Sequence, residues 1–142
     1  EGWRADLNLG YLFGGRQIVQ FQVKASAVIV AQDFVVLDSN GFASAASAGS
    51  NDPIGVAFET VTGTAVDGAV LVSVDISPLS HYRVTVGTGT ITQAMTSKTC
   101  DLAGAQSIDV TASADDCVQI VEVDTVNNQA VIRLVSSPAG VV

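Results

Sequence analysis

The chain has 142 residues and a net charge of −8, with only six basic residues, and 48% of its residues are hydrophobic. This length is sufficient for one domain with its own core, and no apolar run approaches the ~18 residues that a membrane span needs. The basic residues are scattered, whereas nucleic acids and anionic membranes are bound by clustered cations. We therefore expect neither as a partner. The low charged fraction of 14% favours buried subunit interfaces, although a dense β core would also account for it.

The first fifteen residues, EGWRADLNLGYLFGG, are rich in glycine and in large apolar side chains. They show neither helical nor strand periodicity, and so short a segment cannot form a core of its own. We predict an N-terminal arm at residues 1–15, a β domain at 16–136 and a short tail at 137–142. The arm either docks its aromatic side chains on a neighbouring surface, as buried aromatics do at many interfaces, or packs back on its own domain.

Short runs with period-2 alternation or continuous β-branched character follow, and glycine, proline, asparagine or aspartate closes them. Such runs predict strands, here at 16–24, 25–31, 34–37, 53–58, 69–76, 81–86, 99–102, 107–111, 117–124 and 130–135. The small-residue tract 43–51 is either a strand or a loop, and 90–98 is the one plausible helical turn. Strands recurring about every 8 to 12 residues predict an all-β small barrel or sandwich of short antiparallel strands.

Two turn sequences predict hairpins within this series. Asn40-Gly41 follows an apolar run, and residues of this kind tolerate the positive φ angles of tight hairpin turns. Asn127-Asn128 separates the runs VQIVEVD and AVIRLV. We therefore expect strand pairing across both turns.

The stretch from Lys24 to Ser77 resembles the small β-barrel of capsid decoration (cement) proteins of tailed phages. The resemblance rests on the order of three segments: DFVVLDSNG, then PIGVAFETVTG, then DGAVLVSVDIS. These segments match the family's hairpin, its "GVA" strand and its valine-rich strand. They contain turns and valines but no catalytic residue, and they cover a little over a third of the chain.

The resemblance implies a structural virion protein that binds the major capsid protein on the outer surface of an icosahedral shell. It implies a homotrimer at three-fold positions, with an arm that reaches across the shell. From the residues themselves we expect no enzymatic activity, cofactor or metal. The candidate residues for capsid or subunit contacts lie in the arm: Trp3, Arg4, Leu7, Leu9, Tyr11 and Phe13. A second hypothesis is a carbohydrate- or receptor-binding β-module of a virion fibre or spike.

Cys100 and Cys117 lie at the ends of predicted strands, with sixteen residues between them. They lack the CxxC spacing and the histidine partner that are typical of zinc sites. Neighbouring aspartates would raise the pKa of a thiol and disfavour a nucleophile. Two alternatives remain: a disulfide across neighbouring strands, worth roughly 3 kcal/mol on the chain-entropy model, or two buried free thiols, as in a reducing cytoplasm.

The remaining chemical groups predict no catalytic site. His81 is the only histidine, and its neighbour Ser80 would point to the opposite face of a strand. Glu122 and Asp124 would share one strand face about 7 Å apart, where they could serve as a catalytic pair or hold calcium. A solvent-exposed strand face is the simpler interpretation.

Overall fold

The computed structural model describes residues 9–135. This part of the chain is all-β, as predicted, with a single 3-10 helix at Gln93–Met95 as its helical element. Thirteen strands follow one another: β1 Gly10–Phe13, β2 Ile18–Gln22, β3 Val28–Ile29, β4 Phe34–Leu37, β5 Ala43–Ala45, β6 Gly55–Ala57, β7 Val61–Thr62, β8 Leu71–Asp75, β9 His81–Thr88, β10 Thr99–Gly104, β11 Ser107–Asp109, β12 Val118–Asp124 and β13 Gln129–Leu134.

The second half of the chain folds into a closed sheet. Its pairings run β9–β11–β10–β12–β13 and return from β13 to β9. All pairings in this ring are antiparallel except that of β11 with β9. Strand β1 lies outside the ring and pairs with the first residues of β9. Because the ring closes, its five strands leave no free edge among themselves.

The first half forms a five-stranded sheet in the order β2–β8–β6–β4–β5. A parallel bridge between Val23 and Ala43 joins its two ends, so this sheet also returns on itself, through one contact only. Strands β3 and β7 form a separate two-stranded ladder. The hairpin predicted at Asn40-Gly41 is confirmed, because β4 pairs with β5 across it and Gly41 has a φ of 86°. The hairpin at Asn127-Asn128 is confirmed by the pairing of β12 with β13.

Each half has its own core, and the two cores differ in composition. The core of the first half holds small aliphatic residues, namely Val23, Ile29, Val35, Ala43, Ala57, Val72 and Val74. The core of the second half is larger and contains Tyr82, Ile91, Leu102, Ile108, Ile120, Ile132 and Leu134 among others. Phe34, Ala46 and Val56 belong to strands or loops of the first half but pack into this second core, which fixes the two halves together.

Alternation placed most strands correctly but missed two. Strand β1 falls inside the segment predicted as an arm, and β7 is only two residues long. The predicted strand 25–31 contracts to Val28–Ile29. Tract 43–51 combines both expectations, because residues 43–45 pair with β4 while the following residues form a loop.

Candidate interaction surface

A buried carboxylate lies at the junction of the two halves. Asp75 ends β8 and is 1% exposed. Its Oδ1 atom accepts hydrogen bonds from the backbone N–H groups of Gln17 at 3.0 Å and Ser77 at 3.1 Å. The Tyr82 hydroxyl donates to Oδ2 at 2.5 Å. One side chain therefore ties the start of β2, the turn after β8 and the start of β9.

The ionisation of this pair is shifted in opposite directions. Burial of Asp75 opposes its charge, but the nearby Ser80 hydroxyl and the hydrogen bonds from Tyr82, Gln17 and Ser77 outweigh it and hold the pKa of Asp75 below the ordinary value. Burial, followed by the hydrogen bond to the Asp75 carboxylate, raises the pKa of Tyr82 above its ordinary value. Asp75 is therefore the anion and Tyr82 the neutral donor over the whole neutral range.

Arg16 covers this junction from the solvent side. Its Nε atom lies 3.8 Å from Oδ2 of Asp75, and its guanidinium carbon lies 3.5 Å from the ring centre of Tyr11 and 5.0 Å from that of Phe58. A planar guanidinium stacks on aromatic rings and pairs with a carboxylate at the same time, which an ammonium group cannot do equally well. Arg16 therefore connects β1, the end of β6 and the buried Asp75.

A second aromatic contact extends the surface along β9. The rings of Phe13 and His81 stack with centres 4.5 Å apart and an angle of 16°, while Nδ1 of His81 lies 2.9 Å from the carbonyl oxygen of Leu79. Phe13 is 50% and Leu79 66% exposed. Gly14 has a φ of 111°, and a Cβ atom there would lie 1.9 Å from the Leu79 oxygen. Only glycine allows the chain to pass so close to this turn.

We name the exposed part of this region the aromatic face. It joins both halves and consists of Phe13, Arg16, Ile18, Phe58, Leu79 and His81. Ile18, 42% exposed, pairs with Asp75 in the β2–β8 ladder and so lies beside the Arg16–Asp75 pair. Exposed aromatic and aliphatic side chains grouped around an arginine are typical of protein interfaces.

The predicted arm residues take three different positions. Tyr11 turns inward, packs against the core of the second half and meets Tyr82 edge-on with ring centres 5.7 Å apart. Phe13 turns outward, because the pairing of β1 with β9 shifts by one residue between Tyr11 and Phe13. Leu9 lines a cavity of about 70 Å³ together with Phe34, Tyr82 and other residues of both halves. Trp3, Arg4 and Leu7 lie outside the described residues.

Cys100 and Cys117 are buried free thiols in the structure, not a disulfide. The register of β10 with β12 places Cys100 opposite Val118, so the two cysteines are not a directly paired couple. Burial, followed by the negative charge of Asp101, raises the pKa of Cys100 to about 12 and that of Cys117 to about 11. These thiols are therefore protonated and poorly nucleophilic at neutral pH.

Glu122 and Asp124 lie on one face of β12, as alternation predicted, because the register shift between Ile120 and Glu122 precedes both of them, and both act electrostatically on Arg83. Glu122 is exposed, whereas Asp124 is 8% exposed. Asp124 accepts hydrogen bonds from the backbone of Val126 and Asn127, so it shapes the hairpin turn. Within residues 9–135, no group of three or more histidine, cysteine or acidic side chains could hold a metal ion.

Sequence reasoning did not identify the main residues of this surface. Arg16, Phe58, Leu79 and His81 belong to different predicted strands and turns, and no local pattern links them. The single signal that could have been used is the conjunction of Gly14-Gly15 with the turn Ser77–Ser80, since two tight turns allow two strand ends to approach each other closely.

Comparison with solved structures gives a likeness to a phage protein. The chain superimposes on the crystal structure of the head fiber gp8.5 N base of bacteriophage phi29 with a TM-score of 0.54 and 16% identity. The match covers 87% of this chain and 100% of the phage chain. The likeness is one of fold. No protein-family model and no curated protein matches the sequence, and the resemblance to decoration proteins stays a hypothesis.

Proposed function

We propose that this chain is a structural protein of a phage virion, which binds the outer surface of the head shell as a homotrimer and stabilises it without catalysis. The observation that supports the proposal most is the fold shared with the head fiber N base of phi29, since the match extends over that whole chain. The resemblance of residues 24–77 to capsid decoration proteins leads to the same class of protein independently.

The surface chemistry fits a binding role better than a chemical one. The aromatic face is exposed and well ordered by Arg16 and Asp75, whereas the thiols are buried and protonated. A shell component stabilises the shell through its total buried contact area, because each copy makes modest contacts and symmetry repeats them over the shell. In this proposal the major capsid protein is the partner, and neither a cofactor nor a nucleic acid takes part.

We further propose that the residues before Leu9 supply the shell contact. Tyr11 packs against the protein's own core, and Leu9 lines a cavity between the two halves. Both residues therefore already make contacts within the chain, although Leu9 remains 53% exposed. Trp3, Arg4 and Leu7 remain as the anchor residues for the capsid, and Trp3 carries the largest apolar surface among them.

A second candidate function is favoured by the same comparison. The matched phage protein is the base of a head fiber, so this chain could carry or form part of a fibre that recognises a carbohydrate or a receptor. Phe13 and Phe58, which are 50% and 49% exposed, offer rings on which a sugar could stack. A glycan screen with Phe13→Ala and Phe58→Ala as controls tests this function directly.

The experiment that tests the first proposal is co-sedimentation of the chain with expanded, undecorated capsid shells of tailed phages. We expect saturable binding at a fixed ratio, in multiples of three copies per site. Trp3→Ala should weaken binding at least tenfold, since a buried aromatic anchor contributes about 2 kcal/mol or more. Val126→Ala, at a side chain that is 89% exposed in the turn between β12 and β13, should have no effect. Absence of binding to the cognate shell would refute the proposal.

A further inference from the structure

The charges of this chain are distributed unevenly along the sequence. Residues 7–32 and 76–100 contain no aspartate or glutamate, although the chain has fourteen acidic residues. By contrast, residues 101–128 contain six acidic residues and no lysine or arginine. The six are Asp101, Asp109, Asp115, Asp116, Glu122 and Asp124.

The fold turns this uneven distribution into two different sides of the molecule. The two acid-free stretches contain β1, β2 and β9 and every residue of the aromatic face except Phe58. Strands β10 and β12 are the two members of the closed ring that do not pair with β9, so they lie across the ring from it. Asp101, Asp115 and Asp116, on β10 and in the loop that leads to β12, therefore lie on the far side of the ring from β9, whereas Asp109 lies on β11 opposite Thr88, the last residue of β9.

These carboxylates cluster in space as well as in sequence. Asp109 and Asp116 act electrostatically on the Cys100 thiol, while Asp52 and Asp115 act on Cys117. Asp52 reaches the cluster from the first half, since the loop that precedes it bonds to β10 through Gly49 and Leu102. Asp52, Asp115 and Asp116 are exposed and Asp109 is half-buried. We name these four residues the acidic side.

We propose that the aromatic face of one copy binds the acidic side of the next copy, so that the chain assembles head to tail into a closed ring. The occupant of the aromatic face is thus a second copy of this chain. The proposal deepens the homotrimer of the proposed function by naming its two contacting surfaces, but it does not need the capsid shell in order to hold.

Charge and symmetry both favour this arrangement over the alternatives. Copies with a net charge of −8 repel each other, and opposing like charges across an interface costs several kcal/mol. A contact that presents the aromatic face lowers this repulsion, since its six residues include Arg16 and no carboxylate, and the exposed Glu59 is the residue that follows Phe58. Contact between two aromatic faces would place Arg16 near the Arg16 of the second copy, whereas contact with the acidic side places Arg16 near aspartate carboxylates. Rings with three-fold symmetry also require two different surfaces to meet.

The small side chains on the acidic side suit an aromatic partner. The loop between β11 and β12 reads Thr111-Ala112-Ser113-Ala114 before its two aspartates. Asp101, which is 5% exposed, accepts hydrogen bonds from the backbone of Ala114, Asp115 and Asp116 and holds this loop in place. A firmly held loop with small side chains lets the rings of Phe13 and Phe58 approach its backbone closely.

Sedimentation equilibrium of the full chain, without shells, tests the proposal. We expect a mass three times 14.5 kDa, and weaker association when salt rises from about 0.05 to about 0.5 M, since salt screens exposed charges. Leu79→Ser should weaken association about tenfold by removing an exposed apolar contact. Gln20→Glu should weaken it about tenfold as well, because it adds a like charge beside the aromatic face.

A charge-compensation series distinguishes this contact from other modes of association. Gln20 is exposed on β2, and Asp115 is exposed on the acidic side. Asp115→Lys combined with Gln20→Glu should restore much of the affinity that Gln20→Glu removes, because the new charges attract each other across each contact. Thr125→Glu adds the same negative charge on the exposed β12–β13 turn and should leave association unchanged.

Three outcomes would overturn the inference. A monomer at all concentrations would do so, as would a two-fold mass that does not respond to Asp115→Lys, which indicates face-to-face pairing. The third is a trimer that is insensitive to both Leu79→Ser and Gln20→Glu. If the free chain is monomeric but Leu79→Ser abolishes co-sedimentation, the aromatic face binds the shell instead, and the proposed function survives without this inference.

Discussion

The two halves of the chain use the same kind of sheet but close it to different degrees. In the second half, β9 and β13 close the ring through four paired positions, from Tyr82 with Ile132 to Thr85 with Gln129. In the first half, one bridge between Val23 and Ala43 joins the ends. The second core is also larger and contains isoleucine, leucine and tyrosine, whereas the first consists mainly of valine and alanine.

This difference indicates how stability is divided within the molecule. Buried apolar area contributes roughly 25 cal/mol per Å², so a core of larger side chains stabilises its half more strongly. The first half compensates by inserting Phe34 into the core of the second and by its hydrogen bonds at Asp75. We therefore expect the first half to depend on the second for its stability, and not the reverse.

The largest expected effect comes from removing the side chain that bridges the halves. Phe34 is 1% exposed, and Phe34→Ala should lower the free energy of unfolding by about 4 kcal/mol, as buried phenylalanine truncations do. Val72→Ala, in the smaller core, removes two methyl groups and should cost about 2 kcal/mol. Urea unfolding measures the loss of stability in both variants, and native-state hydrogen exchange then shows where in the molecule it occurs.

The hydrogen-exchange rates of individual strands show which half Phe34→Ala destabilises. With Phe34→Ala, amides of β2, β4 and β8 should exchange faster than those of β12 and β13, because the first half loses its anchor. Equal acceleration in both halves would contradict the dependence that we infer. Phe34→Leu is the matched control, since it keeps most of the buried volume and should cost clearly less.

An intermediate effect is expected at Asp75. Asp75→Asn removes the charge that holds Arg16 and the hydroxyl of Tyr82, and breaking a buried charged contact of this kind should cost about 3 kcal/mol. Guanidinium unfolding at pH 7 gives the value. Arg16→Lys is the milder partner change, because it keeps the charge but loses the stacking on Tyr11 and Phe58.

The same pair predicts the pH range of stability. The pKa of Asp75 is lowered, so its contribution is present above the unfolded value of 3.8 and is lost as pH falls through the folded pKa. The pKa of Tyr82 is raised from 10.0, so its contribution is present below pH 10 and is lost as pH rises further. Tyr82→Phe should flatten the alkaline decline, and an unchanged decline would assign it to other groups.

The last prediction concerns the reactivity of the two thiols, which tests the second core specifically. Alkylation of Cys100 and Cys117 in the native protein at pH 8 should be at least about 100-fold slower than in urea, because raised pKa values reduce the thiolate population. Burial slows it further. Since both thiols lie in the second core, their alkylation rate reports how often that core opens. Phe34→Ala should therefore increase the alkylation rate less than it increases the hydrogen-exchange rate of the β2 amides. Rapid native labelling would contradict the burial.

The sequence predicted those features that depend on neighbours along the chain. Phe34–Leu37 forms β4 with the predicted bounds, and both hairpins follow from residues that suit tight turns. The all-β class follows from alternation and from β-branched residues, because a strand exposes its side chains to two opposite environments. These local properties do not require knowledge of the rest of the fold.

Tertiary structure decided what covers each strand face. Alternation places Asp75 on the same face of its predicted strand as Leu71 and Ser73, away from the valines, yet Asp75 is buried because the second half packs over the end of β8. Likewise, only pairing with β9 makes β1 a strand, and only the closed ring separates the acidic side from the aromatic face. Contacts between residues distant in sequence depend on chain closure and packing, so local patterns contain no record of them.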